Sequence, residues 1–430
     1  MHFYVSSNLK RPKLRLLTVG ILFTVIWVLT SFTAIAQESS LWEREALLDD
    51  WGGLRSNLSD NGIVSQLRFT QFYQGLTAGD GNPEFEYGGK FDLLLNADAS
   101  KLGFWDGLSL TVHGEANVGE TANNRGGTLL PVNTALFFPG IEGSDRYDLT
   151  SVFFGQKISD RTNLILGKIN MIDIAAGHPF MGGAGIDSFQ NIAFAAPPSG
   201  LVPPYIFGGL MNIRADWARF TLAAYDPEWV TNRTGLEHPF REGVTFLGGI
   251  DTPVEIAGRT GTQGLKAAAS TSDGTDLRDL PQLILPPEAR EMLRTKEEPY
   301  FVSYVFDQYI VQNPENPRQG WGIFGQIGFT DSNPTPIDWF ALIGIGGNGF
   351  AHSGGTDRFG IGFFHYSLSD DLKDPIKPIV ELDDEEGIEV FYNRAFTPWM
   401  SISADLQVID PTDHKSGTAT LFGLRTKIIF

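Results

Sequence analysis

Leu421-Phe422-Gly423-Leu424-Arg425-Thr426-Lys427-Ile428-Ile429-Phe430 closes the chain, and its reading decides the fold. Phe422, Leu424, Ile428 and Phe430 share one parity, while Gly423, Arg425 and Lys427 share the other. An extended strand here has an apolar face ending in an aromatic and a face carrying positive charge. The stretch before it repeats the dyad: Met400, Ile402, Ala404, Leu406 and Val408 alternate with Ser401, Ser403, Asp405 and Gln407. Joined by the polar segment Asp410 to Gly417, the two read as a hairpin with lipid on one side and water on the other. A free strand edge cannot sit in hydrocarbon, so the hairpin must close onto further strands. The fold expected is an all-β transmembrane antiparallel barrel behind a short amino-terminal helical segment.

The rest of the chain supplies such strands. Tyr87 to Ala99 puts Phe91, Leu93, Leu95 and Ala97 opposite Lys90, Asp92, Asn96 and Asp98, and in the next strand Leu108, Leu110, Val112 and Val118 oppose Ser109, Thr111, His113 and Glu115. A helix would scatter these residues around its surface. Including a first strand from Val64 to about Gln74, about sixteen segments are expected, an even number as bacterial barrels need. The fourth, eighth and ninth alternate weakly. Long connections (119–148, 170–207, 226–243, 272–299, 367–386) fall mostly opposite short ones such as Ser159 to Arg161, as external loops and periplasmic turns do. The nine-residue stretch Gln312 to Gly320 breaks that pattern.

At the amino terminus Lys10, Arg11, Lys13 and Arg15 precede an apolar run from Leu16 to Leu29 and the small-x-small triplet Ala34-Ile35-Ala36, the pattern of a cleaved export signal over 1–36. The segment 37–63 is expected to form a helix and turn, and 64–430 the barrel. Of 32 Lys and Arg, those four leave with the signal, so 28 remain against 51 Asp and Glu, a net of −23. Such a surplus argues against a nucleic-acid partner. The chain has no cysteine, hence no disulfide framework, and its mean hydropathy of −0.08 fits strands in which only alternate residues face lipid.

Two groups of residues add a resemblance. Asp50-Trp51-Gly52-Gly53-Leu54-Arg55 with Leu58 and Gly62-Ile63 lies at one end of the chain. Glu386-Gly387, Glu389, Phe391-Tyr392-Asn393, Thr397-Pro398-Trp399, Asp405-Leu406-Gln407, Phe422-Gly423-Leu424-Arg425 and Phe430 lie at the other. Together they resemble the carbohydrate-selective porins typified by OprB. The resemblance implies an outer-membrane channel for small sugars, an assembly signal at Phe430 read by the barrel-assembly machinery, contact with outer-membrane lipid and, as in many porins, a homotrimer.

Enzyme chemistry finds little support. Gly344, Gly346 and Gly349 satisfy G-x-G-x-x-G, but no helix-forming run follows. G-x-S-x-G and H-E-x-x-H do not occur. His113 shares a face with Glu115, which suits a wetted pore wall or, less simply, metal or acid–base work, and the run Asp383 to Glu386 reads as a solvated loop or a calcium site. No catalytic residue, metal or cofactor is implied. The alternatives kept open are a general or anion-preferring porin and a barrel enzyme acting on lipid.

The wall residues expected to matter are Lys90, Asp92, His113, Glu115, Arg214, Asp216, Glu389, Asp405 and Arg425, each charged or titratable on the polar parity of a strand. The constriction is expected from the third external loop, 170–207, whose Phe180, Phe189, Phe194 and Tyr205 offer faces on which a sugar ring can stack.

Overall fold

The computed structural model describes residues 40–140, 146–285, 292–350 and 357–430; the expected export signal lies outside them. Sixteen strands form one closed antiparallel barrel: β1 (Ile63–Ala78), β2 (Phe85–Asp98), β3 (Leu108–Gly119), β4 (Tyr147–Ser159), β5 (Thr162–Asn170), β6 (Tyr205–Arg214), β7 (Arg219–Tyr225), β8 (Thr245–Ile256), β9 (Arg259–Ser270), β12 (Tyr300–Gln312), β13 (Gly320–Thr330), β14 (Ile337–Asn348), β15 (Asp357–Leu368), β16 (Glu385–Thr397), β17 (Met400–Asp410) and β18 (Ala419–Ile429). Two short strands, β10 (Gly274–Thr275) and β11 (Thr295–Lys296), pair within an external loop. No helix among the described residues is long and apolar enough to cross a membrane. The strands do the crossing.

Each strand pairs with its neighbours in sequence, and β1 meets β18 with Phe69 opposite Ile428 and Gln74 opposite Gly423. Closure leaves no edge unpaired. The period of two appears in burial as it does in sequence: Phe91, Leu93, Ile361, Phe363, Ile388, Val390, Leu406, Phe422 and Leu424 are exposed on the outer wall, whereas Lys90, Asp92, Glu389, Asp405, Gln407 and Arg425 are buried on the inner one.

Several strand limits differ from the sequence reading. β8 and β9 extend to a tight turn at Ala257-Gly258, because Asp251, Thr252, Pro253 and Glu255, too polar to alternate, still pair with β9 near the periplasmic rim. The connection after Gln312 is a true turn between correctly placed strands: Gln312 pairs with Gly320, and Asn313 donates to the Gln319 carbonyl at 2.8 Å. β6 stops at Arg214, so Asp216 lies in the following turn. Gly344 and Gly346 sit inside β14, where the G-x-G-x-x-G match belongs to a strand.

The segment before the barrel fastens the seam. Gly53 adopts φ +92°, a left-handed conformation suited to glycine, and starts the helix Leu54–Asp60. Leu47 N–H donates to the Ile429 carbonyl at 2.8 Å, Trp399 Nε1 donates to the Leu41 carbonyl at 2.8 Å, and the Arg55 guanidinium reaches the Phe430 main-chain oxygen while lying 5.1 Å from the Trp51 ring centre. Phe430 N–H in turn donates to Leu67 of the first strand.

The closed ladder predicts an SDS mobility that changes on boiling; identical mobility with and without heat would contradict it. Deleting Phe430 should sharply reduce the amount of folded barrel in the outer membrane, measured by the heat-shifted band. Arg55→Ala should lower the temperature at which that band converts, with the conductance of assembled channels unchanged.

Candidate permeation pathway

The lumen of sixteen strands is wide, and two external loops fill much of it. The third loop, 171–204, follows β5. Asn170 caps its first turn of helix, accepting from Ile172 and Asp173 N–H, and Asn191 caps a second turn, Ile192–Ala195. Phe180, Phe189, Phe194 and Tyr205 are closed to solvent, all at 0 % exposure. Phe189 lies 4.8 Å from Phe391 and 5.7 Å from Phe324, Phe194 lies 5.8 Å from Phe364, and Phe180 lies 4.7 Å from Tyr309, all ring centre to ring centre. The rings therefore fasten the loop to the wall, each burying apolar surface worth roughly 1.5–3 kcal/mol, and present no face to a solute. Glycines make room for them: a Cβ on Gly360 would stand 2.6 Å from Phe189, and one on Gly362 would stand 2.5 Å from Phe194.

The described part of the second loop, 120–140, also folds inward, which the sequence reading did not anticipate. Leu130, Val132, Thr134, Ala135, Leu136 and Phe138 are buried. The signal available was the apolar content of Leu129 to Val132 and Leu136 to Phe138 between two strands. Wall side chains take up its carbonyls: Lys90 Nζ donates to Phe138 at 2.9 Å and Gln407 Nε2 to Val132 at 2.8 Å.

Most of the wall residues singled out from sequence hold these loops or one another. Lys90 pairs with Glu115 at 2.5 Å, and Glu115 also accepts from Asn170 Nδ2. His113 bridges Asp173 of the third loop at 2.7 Å and Asp92 at 3.1 Å. Arg425 donates to the Gly185 carbonyl at 2.8 Å and to Ser403 Oγ, Gln407 donates to Asp405 at 3.0 Å, and Glu389 accepts from the main-chain N–H groups of Gln190 and Asn191. Arg214 and Asp216 are not part of this wall. Both are exposed at the periplasmic rim, where Asp216 pairs with Arg161 at 2.7 Å.

Asp92, His113 and Glu115 offer ligand atoms within 4.8 Å of one another, a spacing a metal ion could use. Lys90 on Glu115 and Arg68 on Asp92, at 3.4 Å, already supply positive charge, so the cluster reads as an ion-pair network. The acidic run diverges instead of converging on an ion: Asp383 pairs with His414, Asp384 with Lys373, Glu386 with His365, and Glu385 turns inward.

Four charged groups that keep part of their surface open lie along the polar edge of the third loop or on the wall facing it. Asp173 and Asp187 keep about a third of their side-chain surface, 35 % and 37 %, and Arg68 and Lys427 keep 20 % and 18 %. Asp187 pairs with Lys427, and Arg358 donates to the Pro179 carbonyl at 3.2 Å. Burial pushes the Asp187 carboxyl up, but Lys427 beside it, with Arg68 and Arg358 beyond, holds it below the usual carboxylate range. His178 is different. Burial, with Lys266 and Arg358 nearby, brings its pKa down to about 3. Phe180 and Met181 N–H both donate to its Nδ1, so the proton sits on Nε2, which stands 3.7 Å from Asp307, beyond hydrogen-bond distance. Arg68 and Lys427 stood on the polar parity in the sequence; their importance depends on where the loop comes down.

A closed sixteen-strand barrel with a polar interior narrowed by inward-folded loops defines a porin of the bacterial outer membrane. Residues 83–430 match the family described as carbohydrate-selective porin, OprB family, and the chain belongs to it. The amino-terminal signature at 50–63 precedes the matched residues. The fold is similar to the high-pH structure of Pseudomonas putida OprB, with a TM-score of 0.76 at 18 % identity over 91 % of this chain and 100 % of that one. It is also similar to the low-pH structure of the same protein (TM-score 0.56, 16 % identity, 91 % and 100 % covered) and to the channel DcaP of Acinetobacter baumannii (0.50, 10 %, 86 % and 97 %). No curated protein sequence matches. Family and fold indicate a sugar-selective channel rather than an enzyme.

Single cysteines, introduced into a chain that has none, should separate the two groups of charges. A small water-soluble thiol reagent should label replacements of Arg68, Asp173 and Asp187 quickly and replacements of Glu115, Glu389 and Arg425 slowly. Equal rates would show that the loops leave the wall.

Proposed function

We propose that sugars cross between the edge of the third loop and the facing wall, through an opening bordered by Arg68, Asp173, Asp187, Arg358 and Lys427. The observation that carries this reading is the partly exposed Asp187–Lys427 pair with Arg68 close by. Such a border offers acceptors and donors side by side. A sugar hydroxyl uses both at once, whereas an ion of either sign meets a like charge within the same aperture. Binding stays weak because each charge already has a partner, so exchanging that partner for a hydroxyl changes little free energy in either direction, as passage requires. Selectivity in this reading rests on polar groups; the buried aromatic rings contribute indirectly, by holding the loop in place.

The anion-preferring alternative is disfavoured by Asp173 and Asp187 at the opening and by the acidic balance of the chain. Phe430, at the closed seam, is the element the barrel-assembly machinery would take up, and the exposed apolar outer wall is the surface that lipid would cover. The mature chain in this reading begins at Gln37.

Liposome swelling with neutral sugars and size-matched amino acids tests the reading: the sugars should enter faster, and equal rates would refute it. Excising Met181 to Ala195 should raise single-channel conductance and abolish the preference. The depressed pKa of Asp187 adds a pH test. A carboxyl held low keeps its charge as pH falls and loses it only below the ordinary carboxylate range. Reversal potentials should therefore stay level from neutral to about pH 5, shifting at lower pH, and Asp187→Asn should show the shifted value throughout.

A further inference from the structure

We propose that Glu385 and Glu389 of β16 are the positioning residues that couple the two inward-folded loops, the second and the third, and so set the width they leave. The proposal rests on the sugar pathway above and adds what holds its inner border in place.

The two glutamates stand four residues apart on the inner face of one strand, about 13 Å at ~3.3 Å per residue. Both are at 0 % exposure, so neither meets a solute. Each uses its two oxygens on two consecutive main-chain N–H groups. Glu385 accepts from Leu129 at 2.6 Å and Leu130 at 2.8 Å, in the second loop. Glu389 accepts from Gln190 and, at 3.0 Å, from Asn191, in the third.

The loops are then tied to each other at the same points. Thr134 donates to the Gln190 carbonyl from both its N–H, at 2.9 Å, and its hydroxyl, at 2.7 Å, while Ile192 N–H donates to the Pro131 carbonyl at 3.0 Å. Hydrogen bonds therefore run from Glu385 through residues 129–134 and 190–192 and back to Glu389, a circuit that begins and ends on β16.

Two adjacent N–H groups need two acceptor atoms of fixed spacing. A carboxylate has them; an amide of the same shape has one and points its own N–H₂ at the other donor. A buried main-chain N–H left without a partner is costly, so loss of one acceptor should raise the undocked fraction of the loop pair roughly tenfold. Because each loop leans on the other, either loss should loosen both.

The test is Glu385→Gln, Glu389→Gln and the double variant in the full-length protein, measured in planar bilayers and swelling liposomes. Each single variant should keep the heat-shifted band, raise conductance and current noise, and bring sugar and amino-acid swelling rates together. The effect of the double variant should be larger than that of either single one but smaller than the sum of the two. Wild-type conductance and swelling in both single variants would overturn the proposal, and fully additive effects would overturn the claim that the loops act as one. Thr134→Val removes the hydroxyl bond between the loops, one of the hydrogen bonds that join them, without touching either glutamate, and serves if the glutamine variants fail to assemble. It should change conductance in the same direction, and no change would count against the proposal. If the wild type shows no preference for sugars while the variants still alter conductance, the sugar pathway fails and the two-loop constriction stands.

Discussion

Backbone amides cannot be left unpaired in hydrocarbon, and the architecture follows from that constraint. It forces β1 onto β18, so that the strands form a cylinder. A cylinder of sixteen strands has a lumen much wider than a small solute, which only loops can narrow. Loops carried into that space bring their own backbone polar groups with them. The wall answers with side chains: Lys90 and Gln407 for carbonyls, Glu385 and Glu389 for N–H groups. Charge on the inner face therefore serves anchoring first and solute contact second.

The fold was legible because its signal is local. Alternation along Tyr87 to Ala99 or Met400 to Val408 reports directly which side chains meet lipid, and burial follows the same parity from Lys90 to Leu93 and throughout Met400 to Val408. The lower half of the β8–β9 hairpin was less legible, since polar residues at a membrane rim have no need to alternate. Arg214 and Asp216 were misread for a related reason: a strand's last residues keep its parity after the wall has ended.

The site was less legible than the fold. Parity says that Lys90, Glu115, Glu389 and Arg425 point inward, but whether such a group meets water or a loop depends on contacts between residues as distant as Glu389 and Gln190. No periodicity encodes that. Aromatic rings in a pore loop likewise suit two roles, stacking on a solute or docking on a wall. The wall decides between them through Phe324, Phe364 and Phe391 and through Gly360 and Gly362, all on other strands.

The proposed opening for sugars has two unlike sides. On one, the third loop is locked by buried rings and main-chain hydrogen bonds. On the other, Arg68 and Lys427 extend from the strands on long, partly exposed stems. Released from their partners, Asp92 and Asp187, such side chains change rotamer in picoseconds to nanoseconds. On the proposed pathway a solute that displaces those pairings would meet a yielding half-wall against a stiff one, and the aperture would take its outline from each visitor without any lid having to open.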